Sequence, residues 1–130
     1  QFDRAADILR QNITTAQQTG AVADEAAFRD NLASTLHAQG KLSAAIQEQE
    51  AAIVILRRHH LPYSANGASV EKYEKRLKRW RESEQAIMMQ LWTYIYAEQG
   101  EAGIRAALAG QVPDDVIEAI VAQLAGQSPT

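Results

Sequence analysis

The chain has 130 residues, 46% of them hydrophobic, which is enough for one substantial core and too few for two ordinary domains. A formal net charge of −3 gives no general attraction to nucleic acid or anionic lipid, and the lack of cysteine excludes disulfides, thiolate nucleophiles and zinc sites built on sulfur. Helix-forming residues dominate, and no apolar run reaches the roughly 18 residues of a membrane-spanning helix, so we expect an all-α fold without membrane insertion.

The first part of the chain has the pattern of three helices. Apolar side chains at three- and four-residue steps predict a helix at about 3–18. A second helix is predicted at 24–40 with Asp24 as its N-terminal cap, and a third at 43–58 with Ser43 as its cap. Because the connections between them are short, neighbouring helices are expected to pack antiparallel.

One longer loop and one long helix follow. The loop is predicted at 59–68, where Pro62 and the small polar residues around it disfavour helix. Ser69 then caps a helix of about 30 residues that runs to Gly100. Glu84 interrupts its apolar stripe, so the sequence leaves open whether the helix is continuous there.

Two short helices are predicted at the end of the chain. One covers 101–109, and the other begins at Pro113, where proline fits the first turn and the two aspartates after it face the positive end of the helix dipole. The last helix is expected to end at Gly126, and 127–130 is expected to be a frayed tail.

Small and large apolar residues alternate at fixed spacings in the segment 26–59. They are Leu32, Ala33, Leu36, Gly40, Ala45, Ile46, Ala52 and Ile53. Alanine is small enough for helices to touch closely, and glycine supplies the turn between them. With this pattern the segment resembles the tetratricopeptide repeat (TPR). The resemblance implies antiparallel helical hairpins at 1–68, forming a fragment of a right-handed superhelix, capped within the same domain by the long helix and C-terminal hairpin of 69–126.

The TPR resemblance also implies a function. Family members present a groove lined by the first helix of each repeat, and the positions that correspond here include Asp30, Ser34 and His37. The implied role is a non-catalytic scaffold that binds a protein or peptide partner, as a separate protein or as an accessory domain of a larger one.

A basic stretch at the start of the long helix suggests an alternative function. The basic helix 72–81 carries six cations, which exceed the two neighbouring acids, Glu71 and Glu74, by four positive charges. Tyr73 and Trp80 fall between them on the apolar stripe, as in an ordinary amphipathic helix with a solvated charged face. The alternative is a surface for nucleic acid or an acidic ligand, with Arg76 and Arg79 as contacts; nucleic acid is the less expected of the two.

Methionine and aromatic residues crowd the segment 87–96 on almost every side of the helix. One packing face needs fewer apolar residues than this, so something must cover more than one side. Two interpretations stay open: the last helices cover it in a three-helix cluster, or a second copy of the chain covers it in a homodimer.

Residues that could carry catalysis or bind a metal are few. The adjacent His59 and His60 point about 100 degrees apart on a helix, and Asp114 with Asp115 is explained by the start of a helix. No phosphate-binding, dinucleotide-binding or nucleophile motif occurs. We therefore expect no catalytic, cofactor-binding or metal-binding residues and no enzymatic activity. The compartment stays open, since cytoplasm and periplasm both fit.

Overall fold

The computed structural model of this chain describes residues 1–127. Within that range it contains no β-strand and five α-helices: α1 (Phe2–Thr19), α2 (Val22–Ala38), α3 (Leu42–Arg58), α4 (Val70–Leu108) and α5 (Asp114–Gln127). The predicted all-α fold is thereby confirmed. Residue 127, expected in a frayed tail at 127–130, is the last residue of α5. The rest of that expected tail lies outside the described residues.

Helix starts differ from the sequence prediction at α2 and α3. Both helices begin before the predicted caps, and neither has a side-chain cap, so Asp24 and Ser43 lie inside the first turn instead. Asp24 still faces the positive end of the helix dipole there. Ser43 donates a hydrogen bond to the Glu84 carboxylate, a tertiary contact that local sequence cannot reveal. The cap predicted at Ser69 is confirmed, because its hydroxyl accepts a hydrogen bond of 3.1 Å from the Lys72 amide.

The chain divides into two compact units, Gln1–Glu84 (unit 1) and Gln85–Thr130 (unit 2). In unit 1, α1 packs on α2 and α2 packs on α3, joined by short turns. Its core is unusual in the number of small side chains it buries. The fully or almost fully buried alanines are Ala6, Ala26, Ala33, Ala45 and Ala52. Larger apolar side chains fill the space between them: Leu32, Leu36, Leu56, Tyr73, Leu77 and Trp80.

The alanines predicted to lie where helices approach most closely are buried. Ala33, Ala45 and Ala52 each have 0% exposed surface. A methyl group at the contact lets two helix backbones come together without a gap, which larger side chains prevent. Ion pairs complete the contact between α2 and α3, since Arg29 donates hydrogen bonds of 2.9 Å to Glu25 and 2.8 Å to Glu48.

Unit 2 has a smaller core, made of branched aliphatic side chains from two helical segments, 101–108 and α5. Gly100 has φ 70 and ψ −163 and interrupts α4, so residues 101–108 form a separate segment as predicted. The buried residues are Ile104, Leu108, Ile117, Ile120, Val121 and Leu124. On the preceding part of α4, one side packs against them through Met89, Trp92, Ile95 and Tyr96. The three-helix cluster thus covers one side of the aromatic and methionine-rich segment.

Candidate functional site

A cleft of about 650 Å³ opens in unit 1 between α2, the loop 59–69 and the first turns of α4. We call it the α2–α4 cleft. Its lining residues are Asp30, Tyr63, Asn66, Gly67, Ala68, Ser69, Lys72, Tyr73, Arg76 and Arg79. Three cations and a helix start therefore surround a single carboxylate.

The carboxylate of Asp30 is neutralised inside the cleft wall. Arg76 donates a 2.7 Å hydrogen bond from its Nη1 to Asp30 Oδ1 and another from Nη2 to Ser34 Oγ. Ser34 in turn donates to the Asp30 main-chain carbonyl at 3.2 Å. Burial raises the pKa of Asp30, and the nearby Arg76 guanidinium reduces this rise without cancelling it. Because the Arg76 guanidinium offsets the charge of the Asp30 carboxylate, the pair adds no net negative charge to the cleft.

A fully buried amide lies on the α3 side of this network. Gln49 has no exposed surface and lies close enough to Asp30 to lower the pKa of that carboxyl, although burial dominates. Neither its Oε1 nor its Nε2 meets hydrogen-bond geometry with a protein atom in the described chain.

Trp80 anchors the next turn of α4 against α2. Its ring stacks on the His37 imidazole with centroids 4.9 Å apart and planes inclined by 10°. The Arg76 guanidinium lies 4.7 Å from the Trp80 ring centroid, in the range of a cation–π contact. Trp80 itself is only 7% exposed. The indole is consequently occupied by contacts within the chain and presents no open stacking surface.

The loop 59–69 is held firmly in place. The buried Ser64 hydroxyl accepts a 2.8 Å hydrogen bond from the Tyr73 phenol and donates to the Asn66 side chain. The Ala65 amide donates to the Ala23 carbonyl at 3.0 Å, which ties the loop to the start of α2. Burial raises the pKa of Tyr73, so its hydroxyl stays protonated as a donor. The loop therefore forms a wall of the cleft.

The cations of α4 within unit 1 fall into two groups. Two form ion pairs with other helices: Arg76 with Asp30 of α2, and Arg81 with Glu50 of α3 at 2.6 Å. By contrast, four cations make no ion pair within residues 1–127; they are Lys72, Lys75, Lys78 and Arg79. All four line a second depression of about 470 Å³, which shares two of them with the cleft. The unpaired cations therefore continue along α4 from the cleft into the second depression.

The residues singled out by sequence come together in this place. Asp30 and Ser34, predicted as groove residues, are bonded to Arg76, predicted as part of the basic surface. His37, also a groove prediction, stacks beside them, and Arg79 lies exposed at the rim. Two separate predictions therefore converge on one surface. It also includes two residues that the sequence patterns did not indicate, Tyr63 and Asn66. The serine, asparagine and glycine of the loop indicate a tight turn, but nothing local shows which helix the turn packs against.

Other kinds of site have less support in the described chain. Across residues 1–127, no group of three or more histidine and carboxylate side chains is placed to hold a metal ion. None of the helices in that range combines the length and apolar character that crossing a bilayer requires. His60 has a φ of 55 in the turn after α3, so the pair His59 and His60 does not continue the helix.

Comparison with known proteins adds nothing to this description: no protein-family model, curated protein or solved structure matches the chain. The TPR resemblance of residues 26–59 accordingly rests on those residues alone and stays a prediction. What the site can bind has to be derived from its own charges and shape.

Proposed function

We propose that this chain is a non-catalytic protein-interaction module of TPR-like type that binds an extended acidic segment of a partner protein along the α2–α4 cleft. The observation that carries the proposal is the row of unpaired cations on α4. Lys72 and Arg79 line both depressions, and no carboxylate of unit 1 pairs with them. A surface that keeps several cations unpaired in a concave groove attracts a ligand with several carboxylates.

The length of the groove suits an extended peptide. Its lining on α4 extends from Lys72 to Glu82, which is about 15 Å along the helix. An extended peptide advances about 3.3 Å per residue, so about four or five residues cover that distance. The lysines and arginines recur at three- and four-residue steps, which places them on one side of α4. Alternate carboxylates of an extended ligand can reach them in turn.

The position of the cleft agrees with the TPR-like interpretation. If α2 and α3 form one repeat, then α4 corresponds to the first helix of the next one, and the cleft lies between two such first helices. That is where the resemblance places a ligand groove. Support also comes from Ala33, Ala45 and Ala52, whose complete burial suits the close helix contacts of such repeats.

Acidic protein fits this surface better than nucleic acid does. Single strands bind largely by stacking their bases on exposed aromatic rings. Tyr73 and Trp80, the aromatics of the basic stretch, are 1% and 7% exposed, and Tyr63 alone offers an open ring at the cleft. The Arg76 guanidinium is already engaged by Asp30 and Ser34. A surface with several free cations and a single open ring suits carboxylates, which need opposite charge and no ring contact.

The direct test measures fluorescence anisotropy with a labelled octapeptide of alternating glycine and glutamate. We expect saturable binding to the wild-type chain that weakens as salt rises. Replacing Arg79→Glu should reduce affinity roughly tenfold, because each exposed charge contact contributes up to about 1 kcal/mol and the substitution reverses its sign. Arg58→Glu is the matched control: it makes the same charge change at an exposed site on α3, away from the cleft, and should leave affinity nearly unchanged.

A second variant and a second probe make the result decisive. Asp30→Asn removes the carboxylate of the cleft and releases Arg76, so we expect tighter peptide binding by a few fold. An octamer of thymidine serves as the nucleic-acid probe. If the octamer binds and the peptide does not, or if Arg58→Glu weakens peptide binding as much as Arg79→Glu, the proposed acidic-peptide groove is wrong.

A further inference from the structure

Gln49 of α3 is a buried polar side chain without a hydrogen bond of its own. It has 0% exposed surface, and across the described part of the chain neither its Oε1 nor its Nε2 has a hydrogen-bond partner. Buried amides in folded proteins are nearly always hydrogen-bonded, because leaving one unpaired costs free energy. Gln49 therefore keeps a donor available inside unit 1, and its neighbours decide what that donor can serve.

The nearest charged neighbour of Gln49 is the Asp30 carboxylate, across the contact between α2 and α3. A 2.8 Å ion pair joins Arg29 of α2 to Glu48 of α3 and fixes the register of the two packed helices. Asp30 and Gln49 are the next residues on each helix, so each lies only about 1.5 Å along its helix axis from that pair. Burial raises the pKa of Asp30, whereas Arg76 and then Gln49 lower it, which agrees with this closeness. A neutral donor thus lies beside a buried charge.

Arg76, which holds Asp30 in the free chain, is the member of this network that a ligand can reach. Its side chain is 27% exposed and lines the cleft. The guanidinium lies 4.7 Å from the centroid of the Trp80 ring, which supports it while its nitrogens exchange one carboxylate for another. Asp30 is buried and cannot follow. Losing Arg76 would leave a buried carboxylate unpaired, which is strongly unfavourable unless another donor replaces the guanidinium.

We propose that an acidic ligand in the α2–α4 cleft draws Arg76 away from Asp30, and that Nε2 of Gln49 then donates a hydrogen bond to the Asp30 carboxylate in its place. We call this the donor exchange; it rests on the proposed acidic-peptide function. Arg76 becomes a ligand contact, and Gln49 is a positioning residue that does not touch the ligand. The ligand accordingly carries one carboxylate for Arg76, bound through two parallel N–H donors, between those that meet Lys72 and Arg79.

Peptide affinity tests the donor exchange in a double-mutant cycle. Gln49→Met fills nearly the same space without an amide donor and should weaken binding of the glycine–glutamate octapeptide about tenfold. In the Asp30→Asn chain the same change should have almost no effect, because no buried charge then needs a donor. Ile53→Met, a buried change one turn further along α3, is the control for altered packing and should leave affinity unaltered. Equal weakening by Gln49→Met in both chains, or no weakening in the wild type, overturns the donor exchange.

Stability measured without any ligand separates the donor exchange from the proposed function. Arg76→Met takes the cation from Asp30, as a ligand would. In urea titrations near pH 8, where carboxylates are ionised, Gln49→Met should raise the unfolding equilibrium constant about tenfold more in the Arg76→Met chain than in the wild type. If the double variant does not fold, adding Asp30→Asn should restore folding, since it removes the unpaired charge; a triple variant that stays unfolded overturns the donor exchange.

The two measurements together have distinct outcomes. Coupling between Gln49 and Arg76 in stability, without binding of the octapeptide, means that Gln49 can replace Arg76 at Asp30 and that the acidic-peptide groove is wrong. Binding of the octapeptide without that coupling means that the groove stands and the donor exchange is wrong.

Discussion

The two units of this chain bury their helices with different kinds of side chain. Unit 1 places alanine at its closest helix contacts and surrounds them with ion pairs between segments far apart in sequence, such as Arg76 with Asp30. Unit 2 relies on a few branched aliphatic side chains, with Arg105 bridging Glu101 and Glu118 at the surface. Both units leave some large apolar side chains exposed, but they do so differently. In unit 1 they are scattered over separate elements, such as Ile8 on α1 and Val54 on α3, whereas in unit 2 Ile87, Leu91 and Tyr94 follow one another along α4.

The largest expected effect concerns the core of unit 2. Ile104→Ala removes most of a side chain with 0% exposure, which should destabilise unit 2 by roughly 2–5 kcal/mol. Hydrogen exchange read by mass spectrometry should show the amides of α5 losing protection while those of α2 and α3 keep it. Val116→Ala, at a 39% exposed site in α5, should have a much smaller effect. Equal loss of protection in both units would mean that the two units unfold together, and that their different cores do not give them separate stabilities.

The next effect concerns the alanine contacts of unit 1. Ala45→Leu forces three extra carbon atoms into a fully packed contact and should reduce the free energy of unfolding by about 1–3 kcal/mol. Ala106→Leu makes the same change at an exposed site and should stay within about 0.5 kcal/mol of the wild type. Thermal unfolding followed by circular dichroism gives both values. An unchanged melting temperature for Ala45→Leu would show that close approach of α2 and α3 is not what stabilises unit 1.

The smallest effect concerns pH and the Asp30 carboxylate. Burial raises the pKa of Asp30 above its ordinary value of 3.8, so the folded chain binds this proton more tightly than the unfolded chain does. The contribution to stability is then present in full below pH 3.8 and is lost as pH rises through the elevated pKa. Relative to Asp30→Asn, which does not titrate, the wild type should therefore lose unfolding free energy over that window. Denaturant titrations of both chains at several pH values measure the difference, and a difference that grows in the opposite direction would contradict the raised pKa.

Local sequence was sufficient to predict the helices, because each depends on a periodic stripe of its own residues. It also predicted the interruption at Gly100 and the loop after α3. The starts of α2 and α3 were predicted wrongly, since Asp24 and Ser43 have the residue types of caps but lie inside the first turn. A cap is worth only about 1 kcal/mol, so residue type alone does not fix where a helix begins.

The site was predictable only in pieces. The TPR resemblance indicates Asp30, whereas the basic helix 72–81 indicates Arg76, and 46 residues separate the two in the chain. Whether the two meet depends on how α4 packs across α2, which no spacing within either helix encodes. Tyr63 and Asn66 were missed for the same reason, because a loop becomes the wall of a cleft only through its tertiary contacts. The TPR resemblance itself, and the binding role it implies, stay predictions.

Two glycines, Gly100 and Gly103, determine the direction of the chain after residue 94 of α4. A β-carbon on Gly103 would lie 2.3 Å from Cβ of Gln99, and the backbone of Gly100, at φ 70 and ψ −163, suits only glycine. With side chains at both positions, residues 101–108 would favour continuing the preceding helix without a break, and Ile104 and Leu108 would no longer lie against α5. The packing of the segment 101–108 against α5 therefore depends on what these two positions lack.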